Sequence, residues 1–274
     1  MTRQFVEQRQ STRVVRLTML VSVAAFAALA FASAASRAAQ SDGPLPTAKE
    51  VLDRNVEATG GREALLKHKS ITMHGRVEVP SKGVASDVVS YTEDGKQFQK
   101  AMMADGRQQE SGYDGVVSWS MDENGKVSLD EGDIVKTVAR DADMYYHLHV
   151  LDYFRSMEVV DVSDFHGHTC YHLKGTNNWG QPNEQFYDRE SGLLIGYAFD
   201  TKWRGGDGPA TEYFEDYKSF EGVLMPVKTT HTEGGRSAII TMTSATFDDV
   251  DDAVFALPDA VKEAVNKRAS HSLK

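Results

Sequence analysis

The chain has 274 residues, of which 41% are hydrophobic and 26% charged, and its net charge at pH 7 is −10. This acidity argues against partners that are bound through phosphate neutralisation, so no nucleic-acid partner is expected. Cys170 is the sole cysteine, which excludes an intrachain disulfide.

Residues 1–38 have the pattern of an export signal. Four arginines precede the apolar stretch 17–32, and small residues then offer cleavage after Ala34 or Ala38. The stretch has about 16 residues, whereas a membrane span needs about 20, so a retained anchor is the weaker alternative. No cysteine follows it, which excludes lipid attachment there. We predict a periplasmic protein, not a lipoprotein, with a signal peptide at 1–38 and one domain at 39–274 of net charge about −14.

Two segments predict helices. Thr47 and Glu50 form a capping box, apolar residues follow at helical spacing, and Gly60 with Gly61 ends the helix. A second apolar stripe runs from Ile134 to about Tyr146 and predicts a second cover helix. Residues 259–267 predict a short closing helix.

Most of the remaining chain alternates with a period of two. From Ser70 onward, apolar and polar residues alternate between Asp-Gly, Asn-Gly and similar turns, which predicts consecutive antiparallel hairpins. The segment Gly112–Gly125 is interpreted as one strand between two tight turns, with Trp119 on its bulky face. The whole pattern predicts a mainly β, α+β fold of about eleven strands covered by two or three helices.

The one-sided strands predict an apolar groove beneath the cover helices. Flexible methionines and aromatic rings suit a site for variable apolar ligands. The alternative is an exported structural or interaction module whose core is filled. The candidate lining residues are Met73, Val77, Tyr91, Phe98, Met102, Trp119, Met121, Tyr145 and Tyr146.

Other chemistry-bearing clusters are weaker candidates. The alternating residues His166, His168, Cys170 and His172 place at most a neighbouring pair near one ion, so neither a metal site nor a cofactor is expected. The acidic run 248–252 lacks the ligand spacing of a calcium loop and predicts a solvated turn that caps a short helix. No catalytic motif is present, and no catalytic residue is assigned. A hydrolase using dispersed carboxylates remains an alternative, and its candidates are Asp87, Glu93 and Asp122.

Several segments, taken together and in order, resemble the exported outer-membrane lipoprotein-sorting proteins, relatives of the periplasmic carrier LolA. They span most of residues 47–258 and lie at 47–52, 58–61, 113–122, 187–194, 217, 222–226 and 255–258. The resemblance implies a half-open antiparallel barrel with a helical lid. It also implies a carrier of lipid or lipoprotein acyl chains, with inner-membrane donor and outer-membrane acceptor proteins as possible partners. Lipoprotein carriers have an Arg-Pro strand near the third hairpin, whereas this chain has Lys96–Lys100, so no latch residue is transferred.

Overall fold

A computed structural model describes residues 43–272, so the predicted signal peptide lies outside the described part. The described residues form five α-helices and thirteen β-strands. The helices are α1 Ala48–Ala58, α2 Gly61–Lys67, α3 Asp133–Asp141, α4 Tyr146–His149 and α5 Asp259–Ser272. The strands are β1 Ser70–Val79, β2 Val84–Glu93, β3 Lys96–Met103, β4 Gln108–Tyr113, β5 Ser118–Met121, β6 Val127–Leu129, β7 Phe154–Phe165, β8 His168–Asn177, β9 Pro182–Asp188, β10 Leu194–Asp200, β11 Pro209–Phe220, β12 Val223–Glu233 and β13 Arg236–Phe247.

All thirteen strands belong to one open antiparallel sheet. Its order is β6-β5-β4-β3-β2-β1-β13-β12-β11-β10-β9-β8-β7, so the first and last strands pair at the centre. The two edge strands, β6 and β7, are consecutive in the chain. The connection between them carries α3 and α4 across one face of the sheet, which gives an open barrel with helices over its inner face.

Helix α1 confirms the predicted capping box. The Thr47 hydroxyl accepts a hydrogen bond from the Glu50 N–H, and the Glu50 carboxylate accepts one from the Thr47 N–H at 2.7 Å. Val51 and Leu52 are buried against residues of strands β7–β10, among them Leu173. The apolar side of α1 therefore anchors the helix to the inner face.

Cross-strand pairing defines the two faces of the first six strands. Directly paired residues lie on the same face, so Met73, Ser90 and Gln99 form one inner row. The next row, Tyr91, Phe98, Gly112 and Trp119, lies on the outer face. There the Phe98 and Trp119 rings have centroids 6.2 Å apart.

The closing segment 252–272 covers this outer row. Residues 252–255 contact β3, helix α5 contacts β6, and the Lys96 ammonium lies 5.5 Å from the Phe255 ring centroid. Val261 is fully buried and Trp119 is 3% exposed. The molecule thus buries apolar side chains on both faces of the sheet.

One segment confirms the sequence-based expectation and another differs from it. The strand predicted between two tight turns in 112–125 is β5: the Asp114 side chain accepts from backbone N–H groups in the turn before it, and the Asp122 side chain does so in the turn after it. The predicted helix 134–146 ends at Asp141, and Asp143 accepts from the Tyr145 N–H before α4 begins. At Asp143 an aspartate side chain stabilises a turn that the apolar pattern does not reveal.

Candidate ligand-binding cavities

Two adjoining cavities lie between the inner face of the sheet and the helices. Their volumes are about 240 Å³ and about 350 Å³. The larger one alone falls within the range of known small-molecule sites, about 300–1,000 Å³. Six residues border both cavities and mark where they meet: Met73, Ser90, Gln99, Asp141, His147 and Met225.

Three of the nine predicted groove residues border these cavities from the inner face of the sheet or from the helical lid. Met73 borders both, Val77 borders the larger one from β1, and Tyr146 borders the larger one from α4. The β1 register explains the first two, since they are four residues apart on the same face. Their role in binding stays a prediction.

Five others pair in outer rows of the sheet. Tyr91, Phe98 and Trp119 also border the smaller cavity, although strand pairing places them on the face opposite Ser90 and Gln99, so their part in a groove stays a prediction. Met121 pairs with Glu110, and Met102 with Asp87, in outer rows, and Met102 is 50% exposed. Apolar residues occur in these rows because the closing segment gives the outer face its own apolar layer.

The ninth residue, Tyr145, ties the lid to the sheet. Its hydroxyl donates to the His68 carbonyl oxygen at 3.0 Å, and it borders neither cavity. His68 is itself buried, stacks on Phe247 and contacts the Asp248 carboxylate at 2.9 Å. Tyr145 therefore positions the α3–α4 connection.

A salt bridge on the lid helix faces the larger cavity. Arg140 donates from Nε and Nη2 to Asp141 Oδ1 at 2.9 and 2.7 Å, and its guanidinium lies 5.7 Å from the Tyr146 ring centroid. Burial lowers the pKa of Arg140, but attraction to Asp141 and nearby groups outweighs it and raises the pKa overall. Arg140 is thus a permanent cation whose charge is already matched.

Glu212 is a buried carboxyl on the inner face of β11. It is 1% exposed, and among the described residues one of its oxygens has no hydrogen-bond partner. Burial is the largest influence and raises the pKa of Glu212 well above 4.5, with Asp141 adding to the effect. Glu212 is therefore held in its neutral form in this wall.

The raised pKa predicts a pH-dependent loss of stability that Glu212→Gln removes. Below pH 4.5 the side chain is protonated in both the folded and unfolded states; as pH rises, only the unfolded state ionises, which favours unfolding. We expect the free energy of unfolding of the variant, relative to the parent protein, to increase by up to about 1.4 kcal/mol per pH unit. Urea unfolding of both proteins between about pH 4.5 and 8 measures this difference; a pH-independent difference would contradict the assignment.

The other sequence candidates have structural partners. His172 contacts Asp161 at 3.2 Å and Glu184 at 2.6 Å, and burial raises the pKa of Cys170 to about 12. Within residues 43–272 no group of three or more His, Cys, Asp or Glu side chains could hold a metal ion. Among these residues, no helix has the length and apolar content needed to cross a membrane.

The acidic run and the dispersed carboxylates also hold local structure. Asp248 accepts from the Lys69 N–H at 2.6 Å, and Asp251 caps the helical turn 252–255, as the sequence predicts. The three hydrolase candidates are not brought together: Asp87 pairs with Arg76, Glu93 with Lys96, and Asp122 accepts backbone N–H groups in its turn.

Sequence reasoning missed the polar groups of the cavity wall. Glu212 had a usable signal, because it alternates with Ala210 and Phe214 and therefore shares their inward face. Arg140 and Asp141 lie in a segment interpreted only as an apolar stripe. Arg204 lies in a glycine-rich loop where no periodicity indicates a direction.

An open antiparallel sheet with helices enclosing cavities on its inner face defines a half-barrel of the LolA type. No known family model matches the chain, and no curated protein matches it. Several solved structures do match it in fold. A DUF1329 family protein from Desulfovibrio piger has a TM-score of 0.53 and 14% identity over 76% of this chain and 96% of its own. A LolA superfamily protein from Nitrosomonas europaea has a TM-score of 0.52 and 12% identity over 78% and 99%.

A third solved structure has the same architecture. It is a protein domain from Vibrio parahaemolyticus assigned to outer membrane lipoprotein sorting, with a TM-score of 0.50 and 11% identity over 75% of this chain and 94% of the other. These likenesses confirm the predicted LolA-like half-barrel fold.

Proposed function

We propose that this protein is a periplasmic carrier that binds a lipid, or the acyl chains of a lipidated protein, in the two adjoining cavities. The observation that carries the proposal is unfilled space between a mostly apolar sheet face and a helical lid. It favours a binding groove over the alternative of a filled core.

Burial of an acyl chain in these cavities would supply the free energy for binding. At about 0.8 kcal/mol per buried CH₂, a 16-carbon chain contributes roughly 12 kcal/mol before the costs of ordering and association are subtracted. Residues from α3 and α4, including Val138 and Tyr146, border the space opposite the strands. Exchange of the ligand therefore requires the α3–α4 connection to move.

Three further features support the proposal. The sequence pattern of residues 1–38 favours export. The solved structures of similar fold include one assigned to outer membrane lipoprotein sorting. The separate structural partners of Asp87, Glu93 and Asp122 weigh against the hydrolase alternative, which turnover of an ester or glycoside would support.

Native mass spectrometry of the exported protein, purified without detergent, tests the proposal. We expect an added mass that disappears on solvent extraction and is identified as lipid in the extract. If the protein is bare on purification, incubation with a long-chain fatty acid should produce a one-to-one complex. A bare mass before and after incubation would support the filled-core alternative instead.

A further inference from the structure

Arg204 lies at the larger cavity on a loop that the fold holds in place. The loop is anchored at Thr201, which is fully buried and whose hydroxyl binds the Glu233 carboxylate. Glu233 also accepts from the Asp207 N–H at 2.9 Å. At Gly206 a Cβ atom would lie 2.3 Å from the Thr201 hydroxyl oxygen, so only glycine permits this close approach.

The Arg204 side chain is presented against aromatic rings and not against a carboxylate. Its guanidinium carbon lies 5.8 Å from the Phe199 ring centroid and 5.9 Å from that of Trp203. Among the residues that the structure describes, its guanidinium makes no hydrogen bond and no ion pair. A half-buried guanidinium with five donors is thus left to face the cavity.

The carboxyl groups around the larger cavity are otherwise engaged or neutral. Asp141 is paired with Arg140, and Asp200 accepts from the Lys202 N–H at 2.7 Å. Glu212 is held neutral by burial. Burial lowers the pKa of Arg204 more than the nearby carboxylates, Glu233 first, raise it, so these carboxylates do not offset the cost of burying its charge.

The neighbouring histidine does not offset this charge. Burial, together with Arg204, lowers the pKa of His231 to about 3, so His231 is neutral at physiological pH. Of the three arginines that border the larger cavity, Arg76 pairs with Asp87 and Glu78 and Arg140 pairs with Asp141, whereas Arg204 has no ion-pair partner among the described residues. A ligand with one anionic group and an apolar body would pair its charge with Arg204 and place its apolar body in the cavity.

We propose that Arg204 binds the anionic head group, a carboxylate or a phosphate, of an amphiphile whose apolar chain occupies the larger cavity. The inference rests on the proposed carrier function and adds to it the charge of the ligand and the residue that selects it. Phe199 and Trp203 flank the guanidinium and shield the head group from water, which strengthens the interaction.

Matched ligands and matched variants test the proposal. Displacement of a fluorescent fatty acid is measured with palmitate, hexadecyl phosphate, 1-hexadecanol and inorganic phosphate at pH 7. The variants are Arg204→Gln, Arg204→Lys and, as the control, Lys202→Gln, which removes an exposed positive charge from the same turn. Thermal unfolding of each variant checks the fold.

We expect the parent protein to bind palmitate and hexadecyl phosphate at least tenfold more tightly than 1-hexadecanol, with no displacement by inorganic phosphate. Arg204→Gln should weaken binding of the two anionic ligands at least tenfold and leave 1-hexadecanol unchanged. Arg204→Lys should retain part of the preference, and Lys202→Gln all of it.

Three results would overturn the inference. If Arg204→Gln, correctly folded, binds all ligands as the parent does, Arg204 does not select the head group and the carrier function stands. Equal weakening of charged and neutral ligands would assign Arg204 a structural role. If the parent protein binds none of the amphiphiles, the carrier function and the inference fail together.

Discussion

Val88→Trp is expected to weaken uptake of a fluorescent long-chain fatty acid at least tenfold, equivalent to about 1.4 kcal/mol of binding free energy. Val88 lies on the inner face of β2, borders the larger cavity, and is paired with the small residues Gly75 and Ala101. An indole ring at this position enters the cavity and occupies the volume that an acyl chain would need. Because the substitution fills empty space, we expect stability to change little.

Val89→Trp is the matched control, since Val89 is the next residue on the same strand and lies on the outer face, paired with His74 and Lys100. Equilibrium titration of both variants, with thermal unfolding of each, measures the contrast. We expect that only the inner-face variant loses affinity. Equal affinities for both variants and the parent would place the ligand elsewhere.

Trp119→Ala is expected to lower the free energy of unfolding by about 3–5 kcal/mol, the cost typical of removing a buried large aromatic side chain. Trp119 is 3% exposed, and its indole lies over Gly112, where an added Cβ would be 3.1 Å from the ring. Since its side chain belongs to the outer layer, the folded fraction of the variant should retain its affinity for ligand. Urea unfolding combined with fatty-acid titration measures both quantities.

The control for this substitution is Val116→Ala in the same hairpin, because Val116 is 80% exposed and its removal should be nearly neutral. Loss of ligand binding by Trp119→Ala without loss of stability would contradict the assignment of Trp119 to the outer layer. That result would support the sequence-based prediction that Trp119 lines the groove.

The sequence predicts the fold class because its signals are local. The capping box at Thr47 and the apolar–polar alternation of β1 each involve residues that are close in the sequence, and both elements occur where expected. Strand β4 is harder, because Gln108–Tyr113 contains almost no apolar residues. Its inward residue Ser111 borders the smaller cavity, where no apolar side chain is needed, so the usual hydrophobic alternation is absent.

The site is less predictable from the sequence. Apolar side chains buried on the outer face of a sheet give the same alternation of apolar and polar residues as those buried on the inner face. Trp119 and Met73 carry equal apolar signals, and only the pairing of strands and the position of α5 distinguish them. Arg204 depends on contacts between a loop and β12, which no local pattern encodes. Glu212 could be placed inward by its parity with Phe214, but its neutral state follows from distant burial.

Photo-crosslinking locates a bound acyl chain and so tests directly whether the two cavities hold it. The protein is loaded with a fatty acid that carries a diazirine near the end of its chain, irradiated, digested and mapped by mass spectrometry. We expect light-dependent labelling of the β1 and β12 peptides that carry Met73 and Met225, at the junction of the two cavities. Labelling confined to outer-face positions such as Met102, or no light-dependent labelling, would contradict this expectation.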